Sequence, residues 1–441
     1  MSPHLLYVAW GFPPSRGAGM YRALATVAAF IDAGWRVTVL TADRAAFETL
    51  TGVDAEAEAS IPSAATVVRV PFDARRGERD LARWSRLRMS SPLLWSGLRL
   101  LVETARFPEP GYGHWAAPIA AEARAIHRRD PIDLVIGTAN PNVDFVPGAV
   151  VHRAARVPYV MDYRDTWHLD MYADRRRGSR WSRSARRERR LQRRAHEIWF
   201  VNEPIRDWHA RELPSAAARM HVVQNGYDPT FLAPSAHQAE QRGRDRPLTL
   251  GYLGTIYGPM PMRETLDGWR LARARSPLAA AARFVIRGRL GHYSTPDAAT
   301  AALIDEYADD GVVYGGPVSK AEVAGVYAEF DALALILGRS PYITSGKVFE
   351  YAATGLPVVS AHHPQTASTR VLEGHPSWFP IERVDAEAMA DAMIGALTAA
   401  VAADAPARRA AARRWAEHLE RDRQLAPRIQ ALRAVVEGVR P

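Results

Sequence analysis

Residues 345–359, SGKVFEYAATGLPVV, place a lysine and a glutamate on one short helical segment, end it with a glycine and run at once into a buried-strand pattern. Lys347 offers a point charge for phosphate oxygens, and Glu350 offers two acceptor oxygens suited to the vicinal hydroxyls of a ribose. Gly355 stops the helix KVFEYAA, and Pro357 opens the strand PVVSA. The segment reads as a nucleotide-sugar pocket set between a helix and a core strand. An ordinary surface helix before a core strand has the same local pattern, so the surroundings decide.

Working outward, short apolar runs alternate with helix-length amphipathic segments. LLYVAW, WRVTVLTA, IDLVIG, VPYVMD, EIWFVN and HVVQNG fill the first half and have the composition of buried parallel strands. After the polar, proline-bearing stretch PTFLAPSAHQAEQRGRDRP the pattern restarts with LTLGYLG, FVIRG, GVVYGG, DALALIL and LPVVSA. The fold class is therefore α/β, with two Rossmann-like, doubly wound domains facing across a cleft. A chain of 441 residues also exceeds what one core accommodates. The expected division is a first Rossmann-like domain over 1–228, which binds the acceptor. A linker over 229–247 leads to a second such domain over 248–415, which binds the nucleotide sugar. A C-terminal helix over 416–441 is expected to pack back on the first domain.

Composition narrows the function. Hydrophobic residues make up 47% and charged residues 24%, as in an ordinary globular protein. With no cysteine, disulfides, thiolate metal sites and a cysteine nucleophile are excluded, and a cytoplasmic location is compatible. MSPHLLYVAW lacks the layout of a signal peptide, and no stretch approaches the ~18 apolar residues of a membrane span. HEIWF is not H-E-x-x-H, and His362-His363 has no partner at ligand spacing, so no metal is expected. Neither G-x-S-x-G nor a Walker sequence occurs.

The net charge of +9 favours anionic partners. Much of it lies in DRRRGSRWSRSARRERRLQRRAH, residues 174–196, which is also what a solvated arginine-rich helix looks like. Nucleic acid is disfavoured, because no recognisable binding motif accompanies the arginines. An anionic membrane surface fits better. WSRLRMSSPLLWSGLRLLVETARF, residues 84–107, mixes Trp, Leu and Arg as an interfacial helix does, although a core helix mixes them similarly.

Several loops follow the strands at the ends where ligands of such sheets bind. LLYVAW runs into GFPPSRGAGMYRALATVAAF, where Gly17 and Gly19 bring a helix N-terminus within reach of phosphate oxygens. Arg16 and Arg22 are weaker candidates there. The spacing is not G-x-G-x-x-G, so a nicotinamide cofactor is disfavoured and no cofactor is expected. LTLGYLG leads into TIYGPMPMRETL, whose Gly254, Thr255 and Arg263 suit a diphosphate. Plain turns explain both glycine loops equally well. The loop MDYRDTWH sets Asp162 and Asp165 around Arg164. Those carboxylates either cap a helix and pair with the arginine, or take a proton from an acceptor hydroxyl and orient a sugar. Asn140, Asn142 and His114 are further candidates for polar contacts to an acceptor, with His168 as a titratable neighbour.

In this order the motifs resemble glycosyltransferase family 4 of the GT-B fold, especially its bacterial polysaccharide-type members. The resemblance rests on the opening glycine loop, DYRDTW, VVQNGYD, GYLGTIYG, YGGPVSKAEVAGVYAEFDALALIL and SGKVFEYAATGLPVV, and it spans nearly the whole chain. It implies transfer of a sugar from a UDP-, GDP- or dTDP-linked donor to a hydroxyl, with retention of anomeric configuration. The acceptor would be a glycan, a lipid-linked molecule or a secondary metabolite. Glu350 would hold the ribose, Lys347 and Arg263 would meet the diphosphate, and Ser345 and Val348 would line the same site. Gly17 and Gly19 would cover the phosphates, and Asp165 would face the reacting sugar. The expected location is cytoplasmic, and the basic and interfacial segments over 174–196 and 84–107 leave open a peripheral contact with the inner face of the cell membrane. The pattern departs from the family at Tyr342, which stands where a first glutamate is common, and at Met161-Asp162-Tyr163, which replaces a histidine of other branches. Two alternatives stay open: another GT-B enzyme such as a nucleotide-sugar epimerase, and a non-catalytic basic protein binding membrane or nucleic acid.

Overall fold

The structure, a computed structural model, describes residues 2–17, 19–78, 80–232, 246–256, 258–291, 297–319 and 322–439. The chain forms two compact units. One comprises Met1–Asp170, Arg175–Gln224 and Leu425–Pro441, the other Met171–Asp174 and Asn225–Gln424. Most of the expected linker, residues 233–245, lies outside the described residues.

The first unit is built on a seven-stranded, all-parallel sheet. Its strands are β1 (His4–Val8), β2 (Arg36–Ala42), β3 (Ala65–Val70), β4 (Leu134–Ala139), β5 (Tyr159–Tyr163), β6 (Glu197–Phe200) and β7 (Met220–Val222). Their spatial order is β3-β2-β1-β4-β5-β6-β7. Sheets of this kind bury both faces, so the inner strands read as continuous apolar runs. β1 is buried along its whole length, with Leu5 opposite Val37 on one side and Leu134 on the other. β3 escapes the sequence pattern because it is an edge strand and half-exposed over most of its length. Helix α1 (Gly19–Asp32) covers the sheet with Met20, Ala23, Val27 and Phe30, spaced to share one helical face.

α1 and β5 are tied together by a buried ion pair. Arg22 donates from Nε and Nη2 to the two oxygens of Asp162 at 3.0 and 2.7 Å, and also to the carbonyls of Val223 and Gln224. The Thr138 hydroxyl donates to Asp162 at 3.1 Å. This corrects two expectations. Met161, Asp162 and Tyr163 belong to β5 and not to the following loop, and the loop itself starts at Arg164. Asp162 is fully buried, so it belongs to the core and not to an acceptor surface, and Arg22 is its counter-ion and not a phosphate contact.

Another buried group makes the fold sensitive to acid. His209, on the helix Glu203–Glu212, packs against the rings of Tyr163 and Phe200 at 5.0 and 4.7 Å. Burial, only partly opposed by the charge of Glu188, lowers its pKa to about 4. A depressed histidine contributes stability that is complete above its unfolded pKa near 6.5 and is lost as pH falls toward 4. Lowering pH from ~7 to ~5 should therefore cost about 2 kcal/mol through this residue. Urea midpoints at the two pH values check it: His209→Gln should shrink the acid loss, and an undiminished loss would assign the sensitivity elsewhere.

The second unit repeats the plan with six parallel strands. They are β8 (Thr249–Leu253), β9 (Arg283–Arg287), β10 (Val312–Tyr314), β11 (Ala332–Ile336), β12 (Val358–Ala361) and the two-residue β13 (Trp378–Phe379), too short to show in the sequence. Their order is β10-β9-β8-β11-β12-β13. Trp269, Phe284, Ile286, Ala334 and Met389 fill one side of this sheet, and Phe330, Leu333, Phe349 and Tyr351 the other. At the end of the chain, the helix Arg421–Val439 places Leu425, Ile429, Leu432 and Val436 in the core of the first unit beside Leu5, Phe30 and Trp35. Among the described residues, no single helix is long and apolar enough to cross a membrane.

Candidate functional site

In the second unit the site forms around the helix Gly346–Thr354, which follows β11. Ser345 caps it, its Oγ accepting from the Lys347 N–H at 3.2 Å. Gly355 ends it at φ 74°, and any Cβ there would meet the Arg409 carbonyl at 2.6 Å, so the turn needs glycine. Between these caps, Lys347 and Glu350 lie three residues apart on one face, with Lys347 Nζ donating to Glu350 Oε2 at 2.8 Å. Both side chains are about a third exposed.

Two tyrosines, not singled out in the sequence, hold this pair in place. The Tyr327 hydroxyl donates to the same Glu350 oxygen at 2.7 Å. Burial first, and then the Glu350 charge, push the Tyr327 pKa well above its ordinary value, so this hydroxyl stays a donor. Oε1 of Glu350 takes no hydrogen bond among the described residues. Tyr351 accepts from the Leu253 N–H at 2.8 Å and donates to the Leu253 carbonyl at 3.2 Å, which fixes the end of β8 against the same helix. The available signal was that a tyrosine in an apolar run must find a polar partner. Should Glu350 hold a nucleotide, Tyr327→Phe is expected to weaken its binding about tenfold, the lower end of the effect of one lost hydrogen bond to a charged group; titration calorimetry checks it.

Other expected residues make contacts of their own. Gly254 and Thr255 follow β8, where the Gly254 N–H donates to the Arg287 carbonyl and the Thr255 carbonyl accepts from the Tyr252 hydroxyl. Arg263 is exposed and pairs at 3.4 Å with Glu306, and it makes no hydrogen bond or ion pair with Lys347 or Glu350 among the described residues. Val348 is fully buried in the core, and its N–H donates to the Ser345 carbonyl, so it offers a ligand nothing. Tyr342 is buried and donates to Asp174 at 2.6 Å.

In the first unit, Arg164 closes over the start of α1. Its Nε donates to the Ala139 carbonyl at 2.8 Å and its Nη2 to the Asn140 carbonyl at 3.3 Å. The guanidinium lies against Gly19, where any side chain would collide with it. A cation beside a helix N-terminus is an arrangement that attracts anions. Gly17 serves the turn before the helix, donating to Ser15 Oγ and accepting from the Met20 N–H. Asp165 is half-buried and has neither a hydrogen bond nor an ion pair among the described residues. Asn140 is exposed.

Asn142 is instead buried on Glu109, which accepts from its backbone N–H and Nδ2 and from the Val143 N–H at 2.7–2.9 Å. Burial raises the pKa of Glu109 and, more strongly, that of its neighbour Asp144, which accepts from the Trp10 N–H. His114 accepts from the Asp73 N–H at 3.2 Å, and burial lowers its pKa, so it is a neutral packing residue and not an acceptor contact. His168 is fixed by Glu188 at 2.7 Å and Ser184 at 2.9 Å. No group of side chains suited to hold a metal occurs among the described residues.

Two family models match the chain in succession, the glycosyl transferase 4-like domain over residues 17–226 and a glycosyl transferase-like model over residues 267–434. The chain is a glycosyltransferase of the family 4 type. Its first match takes in Gly17, Gly19, Arg164 and Asp165, and its second takes in Tyr327, Lys347 and Glu350. Solved structures place this glycosyltransferase in the GT-B fold. A glycosyltransferase from Rickettsia africae superposes with a TM-score of 0.67 at 10% identity, covering 100% of both chains. Anabaena HepE, solved in complex with UDP, gives 0.62 at 15% identity over 99% of this chain and 100% of that one. Sucrose-phosphate synthase from Thermosynechococcus elongatus gives 0.54 at 15% identity over 99% and 97%. No curated protein sequence matches this glycosyltransferase significantly.

Proposed function

We propose that the enzyme takes its sugar from a nucleoside diphosphate donor held by the second unit, and transfers it with retention of anomeric configuration to a hydroxyl of a glycan, lipid-linked or secondary-metabolite acceptor. The carrying observation is Glu350. Lys347 and Tyr327 fix one of its carboxylate oxygens and leave the other free to accept from a ribose hydroxyl. Lys347 and the N-terminus of its helix, where Gly346 opens onto free space, would meet the diphosphate.

The chemical demand is stabilisation of the leaving diphosphate as the glycosidic bond breaks. A preorganised lysine and backbone N–H groups supply it without a proton transfer. Arg263 would have to leave Glu306 to contribute. In the first unit, Asp165 is the carboxylate left free for an acceptor hydroxyl, and Arg164 at the α1 N-terminus is the complementary anion contact. The complex of HepE with UDP supports a uridine nucleotide as the first donor to try. Incubation with UDP-, GDP- and dTDP-sugars, followed by assay of nucleoside diphosphate release, tests the reading: release from at least one donor is expected, and release from none contradicts it.

A further inference from the structure

The helix α2 (Pro92–Arg106) is inside out. Two of its three charged residues face the body of the first unit: Arg99 and Glu103 pair at 3.1 Å with side chains only 15% and 3% exposed. Its leucines face outward, with Leu93 89%, Leu98 47% and Leu101 66% exposed, beside Leu94 and Val102. Water-facing helices have the opposite polarity, and a contiguous apolar face of this kind marks a surface that something covers.

The C-terminal end of α2 borders a cavity of about 320 Å³ lined by Arg106, Pro108, Arg183, Arg186, Arg187 and Arg190. Four of these arginines lie on the helix α3 (Arg183–Gln192). None of the five has an acidic partner among the described residues, and Arg187 keeps a buried Nε without a hydrogen bond. Burial, and then the charges of Arg190 and Arg153, depress the pKa of Arg187, as expected where positive charges gather without a counter-ion. Close by in sequence, Trp181 is 68% exposed, with Arg180 and Arg189 over its ring.

We propose that this face docks on an anionic phospholipid bilayer, the α2 leucines entering the interfacial layer and the arginine cavity receiving lipid phosphates. Charge and apolar surface together select this occupant. A second copy of the chain would set two unpaired arginine clusters near one another, and a nucleic acid would leave the leucines in water. An apolar helical face with arginines and an exposed tryptophan at its margin is the combination that an anionic lipid interface rewards. The inference is independent of the donor reading, because every residue involved lies on α2, α3 or the segment between them.

Co-sedimentation of the full chain tests it, with vesicles of phosphatidylcholine alone or mixed with phosphatidylglycerol. Binding is expected to the mixed vesicles and to weaken with salt. Arg186→Gln/Arg190→Gln should weaken it roughly thirtyfold, at about fivefold per arginine. Leu93→Ser/Leu98→Ser/Leu101→Ser should weaken it by roughly tenfold or more. All these side chains are exposed, so unchanged melting temperatures should show that the variants fold. No binding to mixed vesicles, or binding that both variants retain, would overturn the proposal. So would sedimentation-velocity detection of a dimer that the leucine variant dissolves, since the occupant would then be a second copy.

Discussion

Lys347→Ala is expected to lower turnover by roughly 10²–10³-fold, the usual loss when one preorganised donor to developing negative charge is removed. Stability should change little. Lys347 is about a third exposed and its one ionic contact among the described residues is Glu350 on the next turn, a pair of the kind worth only a few tenths of a kcal/mol to a helix. The two outcomes separate a phosphate-binding lysine from a structural one. Steady-state kinetics beside a melting curve make the measurement: full turnover in a folded variant removes Lys347 from the chemistry. Lys347→Arg should recover only part of the rate, because the planar guanidinium does not reproduce a compact charge on a flexible stem.

Asp162→Ala should be the most destabilising single change in the first unit, costing about 3–5 kcal/mol, because it strands the Arg22 guanidinium in the core. Arg22 is 7% exposed and Asp162 1%, so water cannot take the place of the missing partner. Substituting both residues together by apolar side chains of similar volume should cost far less, since no charge is then left unpaired. Urea denaturation of the single and double variants tests the argument. A single variant within about 1 kcal/mol of the parent would mean that the arginine finds another counter-charge.

Much of the fold is visible in the sequence because both sheets are parallel and buried on both faces, so their strands stand out as apolar runs such as LLYVAW and DALALIL. β3 and β13 do not stand out, one being half-exposed and the other two residues long. The family could be read from motif order, and the Lys347 and Glu350 face from helical spacing alone. The failures have one physical origin, namely that a polar residue's role depends on partners distant in the chain. Asp162 looks like its neighbour Asp165 until Arg22, 140 positions away, claims it. Asn142 goes to Glu109 in the same way, 33 positions distant. Val348 sits between Lys347 and Glu350 in sequence but turns to the opposite side of the helix, into the core. The segment over 84–107 mixed Trp, Leu and Arg in a pattern open to two readings. Which side faces water depends on the inward Arg99–Glu103 pair, and that only the folded chain reveals.

The most direct measurement is a thermal-shift titration of the wild-type protein and Glu350→Ala with UDP, GDP and dTDP. A ligand bound only by the native state at one hundred times its dissociation constant adds about 2.7 kcal/mol of stability. One nucleotide should raise the melting temperature of the wild type and leave that of Glu350→Ala unmoved. An equal rise in both proteins would show that the nucleotide binds elsewhere, and no rise with any of the three would contradict a donor pocket at Lys347 and Glu350.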